Sequence, residues 1–98
     1  MRNVIVTGGS SGIGKATAKK FLMAGDCVVV ADVNPQNLEK TKKEFEALQG
    51  KAFYKTVDVS DQYSVAELID FAKQQCDSID VLVNCAGVST NSSKVTRR

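Results

Sequence analysis

The sequence predicts an α/β fold: a parallel sheet of four strands, in the order 3-2-1-4, with helices on both faces. Short β-rich runs alternate with longer amphipathic segments, which is the pattern of a parallel α/β sheet. The run at residues 27–31 is apolar throughout, as expected for a strand buried on both faces. Right-handed crossovers between successive strands then give the predicted strand order.

The first strand is predicted at residues 4–6 and the first helix at about residues 12–24, where Gly25 ends it. The side chains expected on the inward face of this helix are Ile13, Ala16, Thr17 and Phe21. The second strand, at residues 27–31, leads into a second helix, which Asn34 caps and Pro35 opens.

This second helix is predicted to run to about residue 49, where Gly50 closes it. Its apolar stripe consists of Leu38, Thr41, Phe45 and Leu48. The charged residues on its other face are interpreted as a solvated surface, since pairs such as Glu39 and Lys43 stand four residues apart.

A third strand is predicted at residues 52–57, a third helix at about residues 61–76 with Ser60 as its cap, and a fourth strand at residues 81–83. The side chains expected on the inward face of the third helix are Val65, Leu68, Ile69 and Ala72. Residues 1–87 then form the folded domain, and residues 88–98 a flexible polar and basic tail.

Composition restricts the chain to one globular domain. Its 98 residues are 43% hydrophobic and 24% charged, and 13 basic against 11 acidic side chains give a net charge of +2. The charges are interspersed, so no nucleic-acid or membrane partner is expected. No signal core follows Arg2 and no run approaches the roughly 20 apolar residues of a membrane span, which predicts a cytoplasmic location.

The three cysteines form no C-x-x-C pair, and the chain has no histidine, so no metal site is expected. Their odd number favours free thiols. Cys27 and Cys85 stand in apolar runs and are expected in the core, whereas Cys76, near a helix end, can be partly exposed.

A glycine-rich loop, TGGSSGIG at residues 7–14, joins the first strand to the first helix. Glycines let the backbone turn sharply and point N–H groups outward, and the helix N-terminus adds the positive end of its dipole. The expected ligand is therefore a pyrophosphate. The spacing G-x-x-x-G-x-G differs from the general G-x-G-x-x-G fingerprint, so a tight connection without a ligand is the alternative.

The strand order places a ligand at the carboxyl ends of strands 1 and 4, where the glycine loop meets Asn84 and Gly87. Asp32 stands at the end of the second strand, eighteen residues after Gly14, where a carboxylate can accept hydrogen bonds from ribose hydroxyls. Its charge would repel a 2′-phosphate, which predicts NAD in preference to NADP. The alternative is that Asp32 only caps the turn before Pro35.

Together, these motifs resemble the N-terminal, cofactor-binding half of the short-chain dehydrogenase/reductase family over about residues 3–90. The loop at residues 7–14 resembles the family's TGxxxGIG, and Asp32 its acidic residue after the second strand. Asp58-Val59 looks like its adenine-side pair, and residues 84–87, NCAG, are similar to its N-N-A-G motif. The resemblance implies a partial Rossmann fold and an NAD-dependent oxidoreductase acting on a carbonyl or secondary alcohol.

The resemblance also implies a role for each matching residue. The expected cofactor-binding residues are Gly8, Ser10, Ser11 and Ile13 around the pyrophosphate, Gly12 and Gly14 in the same loop, Asp32 at the ribose, Asp58 and Val59 at the adenine, and Asn84, Ala86 and Gly87 beneath the middle of the cofactor. Gly14 in particular would allow close helix packing. Cys85 departs from the family's usual second asparagine, and Asp58 has a second interpretation as a helix-capping neighbour of Ser60.

The family's catalytic pair, a tyrosine followed four residues later by a lysine, has no counterpart here. Asp58 stands four residues after Tyr54, and Glu67 four after Tyr63. The sequence therefore predicts no catalytic residue and an oxidoreductase truncated to its cofactor-binding portion, inactive by itself. A dinucleotide-binding module without chemistry and a relic or interaction fragment are the alternatives.

The expected partners are an adenine dinucleotide and a second copy of the chain. In the family, a fifth strand covers the outer edge of the fourth. Here, residues 81–83 are expected to leave that edge open, which favours self-association through it.

Overall fold

The structure is a computed structural model that describes residues 1–85. The predicted tail and two expected site residues, Ala86 and Gly87, lie outside the described residues. The elements, in chain order, are β1 (Asn3–Thr7), α1 (Gly12–Met23), β2 (Cys27–Asp32), α2 (Pro35–Phe45), β3 (Lys51–Thr56), α3 (Gln62–Cys76) and β4 (Val81–Asn84).

The four strands form one parallel sheet in the order β3-β2-β1-β4, which confirms the predicted topology. Val4 of β1 is paired with Val28 of β2 on one side and with Val81 of β4 on the other. Because β1 and β2 both have neighbours on each edge, they are the inner strands, and their apolar sequences reflect burial on both faces.

Helices cover both faces of the sheet, as predicted. Alternate strand residues point to opposite faces, so Val4 and Val28 pack with α1 and α2, whereas Ile5 and Val29 pack with α3. The structure thus has two hydrophobic cores separated by one sheet.

The predicted inward face of α1 is only partly right: Thr17 is half-buried, and Phe21 is half-buried against the core. The buried residues of this helix are Gly14, Ala18 and Leu22, whereas Ile13 and Ala16 are exposed. Small residues at positions 14 and 18 let the helix lie close to the sheet, and Leu22 completes the buried face. Most of the predicted face, at positions 13, 17 and 21, is thus displaced by one residue from the buried positions 14, 18 and 22.

The second helix ends at Phe45, earlier than predicted, and Gly50 does not close it. Gly50 instead packs against the corner between α1 and β2: its N–H donates to the Leu22 carbonyl over 2.9 Å, and a β-carbon there would overlap the backbone. The predicted stripe is otherwise confirmed, since Leu38, Thr41 and Phe45 are buried.

The N-cap of α3 and the burial of two cysteines differ from the sequence predictions. The cap is Asp61, whose carboxylate accepts from the Tyr63 N–H over 2.9 Å, and not Ser60. Ser60 was the less suited residue because its hydroxyl donates to Asp58. Cys76 is buried, whereas Cys85, expected in the core, is only half-buried; Cys27 is in the core as predicted.

Candidate functional site

The carboxyl ends of β1 and β4 meet at the centre of the predicted site. Thr7 Oγ1 donates a hydrogen bond of 2.7 Å to Asn84 Oδ1, and the Cys85 N–H donates to the Thr7 carbonyl over 3.1 Å. Thr7 is buried, and sequence analysis gave it no role of its own. Its signal was its place at the last position of β1, beside the loop. The two bonds join the strands where the chain reverses direction across the sheet.

Glycines shape the loop between β1 and α1 in two different ways. Gly8 and Gly12 have positive φ angles of 68° and 54°, a conformation that favours glycine. Gly14 lies against the Gly8 carbonyl, where a β-carbon would overlap the backbone. The loop therefore turns tightly enough to bring the first turn of α1 over the end of β1.

The first turn of α1 is capped differently from that of the other two helices. Ser11 occupies the N-cap position without a side-chain hydrogen bond, and no acidic residue lies in the first turn. In contrast, the Asn34 and Asp61 side chains accept from first-turn N–H groups of α2 and α3. Of these three helices, α1 alone leaves its first-turn N–H groups without a side-chain cap, which suits an anion.

Asp32 is the most highly connected side chain of the site. Its Oδ2 accepts from the Ser10 N–H over 3.1 Å and from the Ser10 hydroxyl over 2.5 Å. Its Oδ1 accepts from the Val33 N–H over 2.7 Å. Asp32 is 9% exposed, so a carboxylate lies nearly buried where β2 meets the glycine loop. The sequence predicted a role for Asp32 but not its bonds to Ser10.

Asp58 and Val59 follow β3 at the same edge of the sheet. Asp58 Oδ1 accepts from the Ser60 N–H over 3.0 Å and from the Ser60 hydroxyl over 2.6 Å, and these donors lower the pKa of Asp58. This is the local turn that sequence analysis gave as the second interpretation of Asp58. Val59 is 41% exposed.

One candidate residue escaped sequence analysis. Val33 directly follows Asp32 and is 63% exposed, although its neighbours in β2 are buried. Ile13, which was expected at the pyrophosphate, is also exposed. The sequence signal for Val33 was an apolar residue directly after the end of a predicted strand. Val33, Ile13 and Val59 all lie on segments at the carboxyl edge of the sheet.

Neither tyrosine has the environment of a general acid. Tyr54 is half-buried on β3, and its burial, with a smaller effect of Glu46, raises its pKa to about 12. Tyr63 is exposed at the start of α3. Within residues 1–85, no cluster of three or more metal-ligating side chains occurs, and no helix is long and apolar enough to cross a membrane.

Comparison with known proteins gives concordant matches. Residues 2–97 match the family described as short chain dehydrogenase. An oxidoreductase of Bacillus subtilis, YxbG, is 37% identical over 94 residues, which cover 96% of this chain and 34% of the relative. The 3-oxoacyl-[acyl-carrier-protein] reductase FabG of Thermotoga maritima is 39% identical over 85 residues, which cover 87% of this chain and 35% of the relative. The chain thus spans about a third of the length of these relatives.

A solved structure agrees with these sequence matches. A 7α-hydroxysteroid dehydrogenase in complex with NADH and 7-oxo-glycochenodeoxycholic acid superposes with a TM-score of 0.81 at 36% identity. The match covers 85% of this chain and 32% of that one. The matched part of that protein therefore has the same arrangement of strands and helices.

Proposed function

The chain belongs to the short-chain dehydrogenase/reductase family, and from this membership we propose that it binds NAD as the cofactor portion of an oxidoreductase acting on a carbonyl or secondary alcohol. The observation that carries the proposal is the nearly buried Asp32 carboxylate, which the glycine loop holds at the end of β2. A carboxylate at this place suits the hydroxyls of an adenosine ribose.

The proposed pyrophosphate site lies at the glycine loop and the first turn of α1. Its residues are Gly8, Ser11, Gly12 and Ile13, with Gly14 allowing the close approach of the helix. The first-turn N–H groups of α1 have no side-chain cap, so they are free to donate to an anion. The positive end of the helix dipole adds to the attraction.

NAD is proposed in preference to NADP. The negative charge of Asp32 would lie close to a phosphate on the ribose 2′ oxygen, and burial weakens the screening of that repulsion. The next residue is Val33, and Ser11 precedes Gly12, so neither of these positions supplies a basic side chain to compensate.

The adenine is proposed to lie between the ends of β2 and β3, against Val33 and Val59. Both side chains are exposed although they are apolar, and an aromatic base would cover such surface. The sheet pairs Asp32 with Thr56, so the two valines follow neighbouring strand ends. Asp58, fixed by Ser60, is proposed to lie beside the adenine.

Asn84, Ala86 and Gly87 are proposed to pass beneath the middle of the cofactor. The bond from Thr7 to Asn84 supports this for Asn84, because it fixes the amide at the end of β4. When bound, the nicotinamide supplies hydride chemistry. The described residues are proposed to bind and orient the cofactor, and none of them is proposed as a catalytic acid or base.

We propose two further properties of the chain. Among the described strands, β4 pairs only with β1, and the half-buried Val81 and Leu82 lie on it, so a second copy can pair along its other edge. Sedimentation equilibrium tests this, and a monomer at every concentration would contradict it. The location is proposed to be the cytoplasm, which imaging of a tagged chain would check.

Calorimetric titration of the chain with ADP, NAD and NADP tests the cofactor proposal. We expect ADP and NAD to bind and NADP to bind at least about tenfold more weakly, since a buried repulsion costs more than about 1.4 kcal/mol. Asp32→Asn should weaken NAD binding and narrow the difference between NAD and NADP. Asp70→Asn, at an exposed position of α3, is the matched control.

Two results would contradict the proposal. One is a folded chain that binds none of the three nucleotides, which would favour the relic or interaction fragment. The other is equal affinity for NAD and NADP. Binding of ADP and NAD without any turnover in longer forms of the protein would favour the alternative of a dinucleotide-binding module.

A further inference from the structure

We propose that Ser10 is a positioning residue that acts on the cofactor through Asp32, and that it thereby sets the preference for an unphosphorylated ribose. The inference rests on the proposed function, because it concerns how the same site selects its ligand. The family resemblance of the sequence implied a place for Ser10 at the pyrophosphate. The bonds of Ser10 in the structure point to the ribose carboxylate instead.

The acceptor positions of Asp32 are nearly all occupied. A carboxylate offers about four lone-pair positions, two on each oxygen. Ser10 fills two positions on Oδ2, one through its N–H and one through its hydroxyl, and the Val33 N–H fills one on Oδ1. The remaining position is on Oδ1. Because donors hold both oxygens, the direction of this last position is fixed.

Ser10 has no donor left for a phosphate. A serine hydroxyl carries one proton, and here it lies in the 2.5 Å bond to Asp32. The Ser10 N–H is committed to the same oxygen. A direct bond from Ser10 to the pyrophosphate would require breaking a charge-assisted hydrogen bond at a position where the serine is only 6% exposed.

The position of Ser10 is itself fixed from two sides. The preceding Gly9 N–H donates to the Ala31 carbonyl over 3.0 Å, which ties the loop to β2. From the other side, the hydroxyl of Thr41, on α2, lies 3.4 Å from the Ser10 carbonyl and is oriented as its donor. Thr41 is 1% exposed, so water does not compete for this contact. Ser10 is therefore held by the sheet and by α2 before any ligand arrives.

This arrangement has a consequence for ligand selection. With Ser10 in place, the open position of Oδ1 accepts from the ribose 2′-hydroxyl in this proposal, and the charge stands where a 2′-phosphate would come. Without the Ser10 hydroxyl, Oδ2 of Asp32 loses the shorter of its two hydrogen bonds. The carboxylate can then rotate about χ2, because this torsion angle has a broad distribution in aspartate. The ribose hydroxyl then gains less from binding, and the phosphate is repelled less.

The test compares ADP with 2′-deoxy-ADP as probes, using the wild-type chain, Ser10→Ala, Asp32→Ala and the double variant. We expect Ser10→Ala to weaken ADP binding by about 5- to 20-fold, which corresponds to the loss of one charge-assisted hydrogen bond. The affinity for 2′-deoxy-ADP should stay within about twofold of the wild-type value. In the Asp32→Ala background, Ser10→Ala should have no further effect, because Ser10 acts through that carboxylate. The ratio of NAD to NADP affinity should also fall in Ser10→Ala.

Two variants complete the design. Ser11→Ala removes the neighbouring hydroxyl, which does not contact Asp32, and it should change the binding of ADP and 2′-deoxy-ADP by the same factor. Thr41→Val is nearly isosteric and acts from the other side of Ser10, so it remains informative if Ser10→Ala fails to fold. We expect from it a smaller loss, about twofold, again confined to ADP. Thermal unfolding establishes which variants are folded.

Equal losses for ADP and 2′-deoxy-ADP in Ser10→Ala would overturn the inference, as would a further loss when Ser10→Ala is added to Asp32→Ala. Either result would indicate a direct contact between Ser10 and the phosphates, with the proposed function intact. A folded wild-type chain that does not bind ADP would overturn the proposed function, and the inference with it.

Discussion

Gly14, in the first turn of α1, lies against the carbonyl oxygen of Gly8, and the space between them cannot hold a β-carbon. This contact brings the helix N-terminus over the end of β1, where the proposed pyrophosphate site is. It also selects which face of α1 is buried. One missing β-carbon thus connects the packing of the helix to the geometry of the site.

Gly14→Ala is expected to lower the free energy of unfolding by about 2–3 kcal/mol or more, because the backbone must move to relieve the overlap. ADP binding should be lost with it. Gly25→Asn is the control: Gly25 has a φ of 88° in open space, and asparagine tolerates the left-handed region, so the cost should stay below about 1 kcal/mol. Urea unfolding measures both. Equal costs would show that Gly14 has no special contact.

The N-caps of α1 and α2 should respond differently to alanine. Asn34→Ala is expected to cost about 1 kcal/mol of stability, because Asn34 Oδ1 accepts from the Gln36 and Asn37 N–H groups. Ser11→Ala should cost less than about 0.3 kcal/mol, since Ser11 makes no such bond, yet it should weaken ADP binding. Urea unfolding and calorimetry measure the two effects. A stability loss for Ser11→Ala equal to that for Asn34→Ala would refute the difference.

Asp26 links stability to pH. The N–H of Arg2 donates to its carboxylate over 2.9 Å, and the Arg2 guanidinium forms an ion pair with it at 3.0 Å; these contacts hold the pKa of Asp26 below its usual value. A carboxyl group whose pKa is lower in the folded than in the unfolded state stabilises the fold at pH values above the unfolded-state pKa. This stabilisation is lost as the pH falls through the folded-state pKa. Asp26→Asn keeps an acceptor for the Arg2 N–H but removes the negative charge that strengthens this bond and forms the ion pair, so it should cost about 1–2 kcal/mol at pH 7.

The difference in stability between the wild-type chain and Asp26→Asn should shrink as the pH drops below about 4, and nearly vanish below the folded-state pKa. Urea unfolding at a series of pH values measures it. Asp70→Asn, at an exposed position, should show no such trend. A difference that stays constant from pH 7 to pH 2.5 would contradict the assignment.

The three thiols should react with iodoacetamide in a defined order. Burial, with the Cys27 thiol nearby, raises the pKa of Cys76 to about 12, so at pH 8 only about one thiol in ten thousand is the reactive thiolate. Burial also raises the pKa of Cys85, but this residue is half-buried and should be modified first. Peptide mass spectrometry of the native chain should find Cys27 and Cys76 unmodified until urea is added. Rapid labelling of Cys76 would show that α3 opens at its end.

With any carbonyl substrate, the chain by itself should oxidise NADH no faster than buffer alone does. A general acid contributes roughly 10²–10⁴-fold in rate, and Tyr54, with a pKa of about 12, is poorly matched to neutral pH. Absorbance at 340 nm measures turnover, with ADP binding as the check that the site is formed. Steady turnover that disappears in Tyr63→Phe would identify an acid that the sequence pattern did not predict.

Several features followed from local sequence. The Asn34-Pro35 pair predicted the start of α2, because a cap and its N–H partners are three residues apart at most. The apolar run at residues 27–31 predicted an inner strand, and the alternation of strands with helices gave the sheet order. Asp32 was found because its distance from the loop along the chain is typical of a ribose-binding carboxylate. Such signals depend on neighbours in sequence or on a recurring spacing.

Other features depended on contacts between distant residues. The buried face of α1 was missed because it depends on how closely Gly14 approaches Gly8, and periodicity alone does not give that approach. Gly50 looked like a helix end, yet its position is decided by the Leu22 carbonyl of another helix. Val33 had no assigned role until its exposure distinguished it from the buried residues of β2.

By itself, the sequence determined the class of fold, the order of the strands and the loop at which a dinucleotide is proposed to bind, since these follow from periodicity, turn residues and spacing. Only the tertiary structure decided what the site residues do to one another. Ser10 and Asp32 are 22 positions apart, and their hydrogen bonds exist because β2 and the loop after β1 end at the same edge of the sheet. Direction and distance between such groups are properties of the packed chain, and the proposed selection of the ribose depends on them.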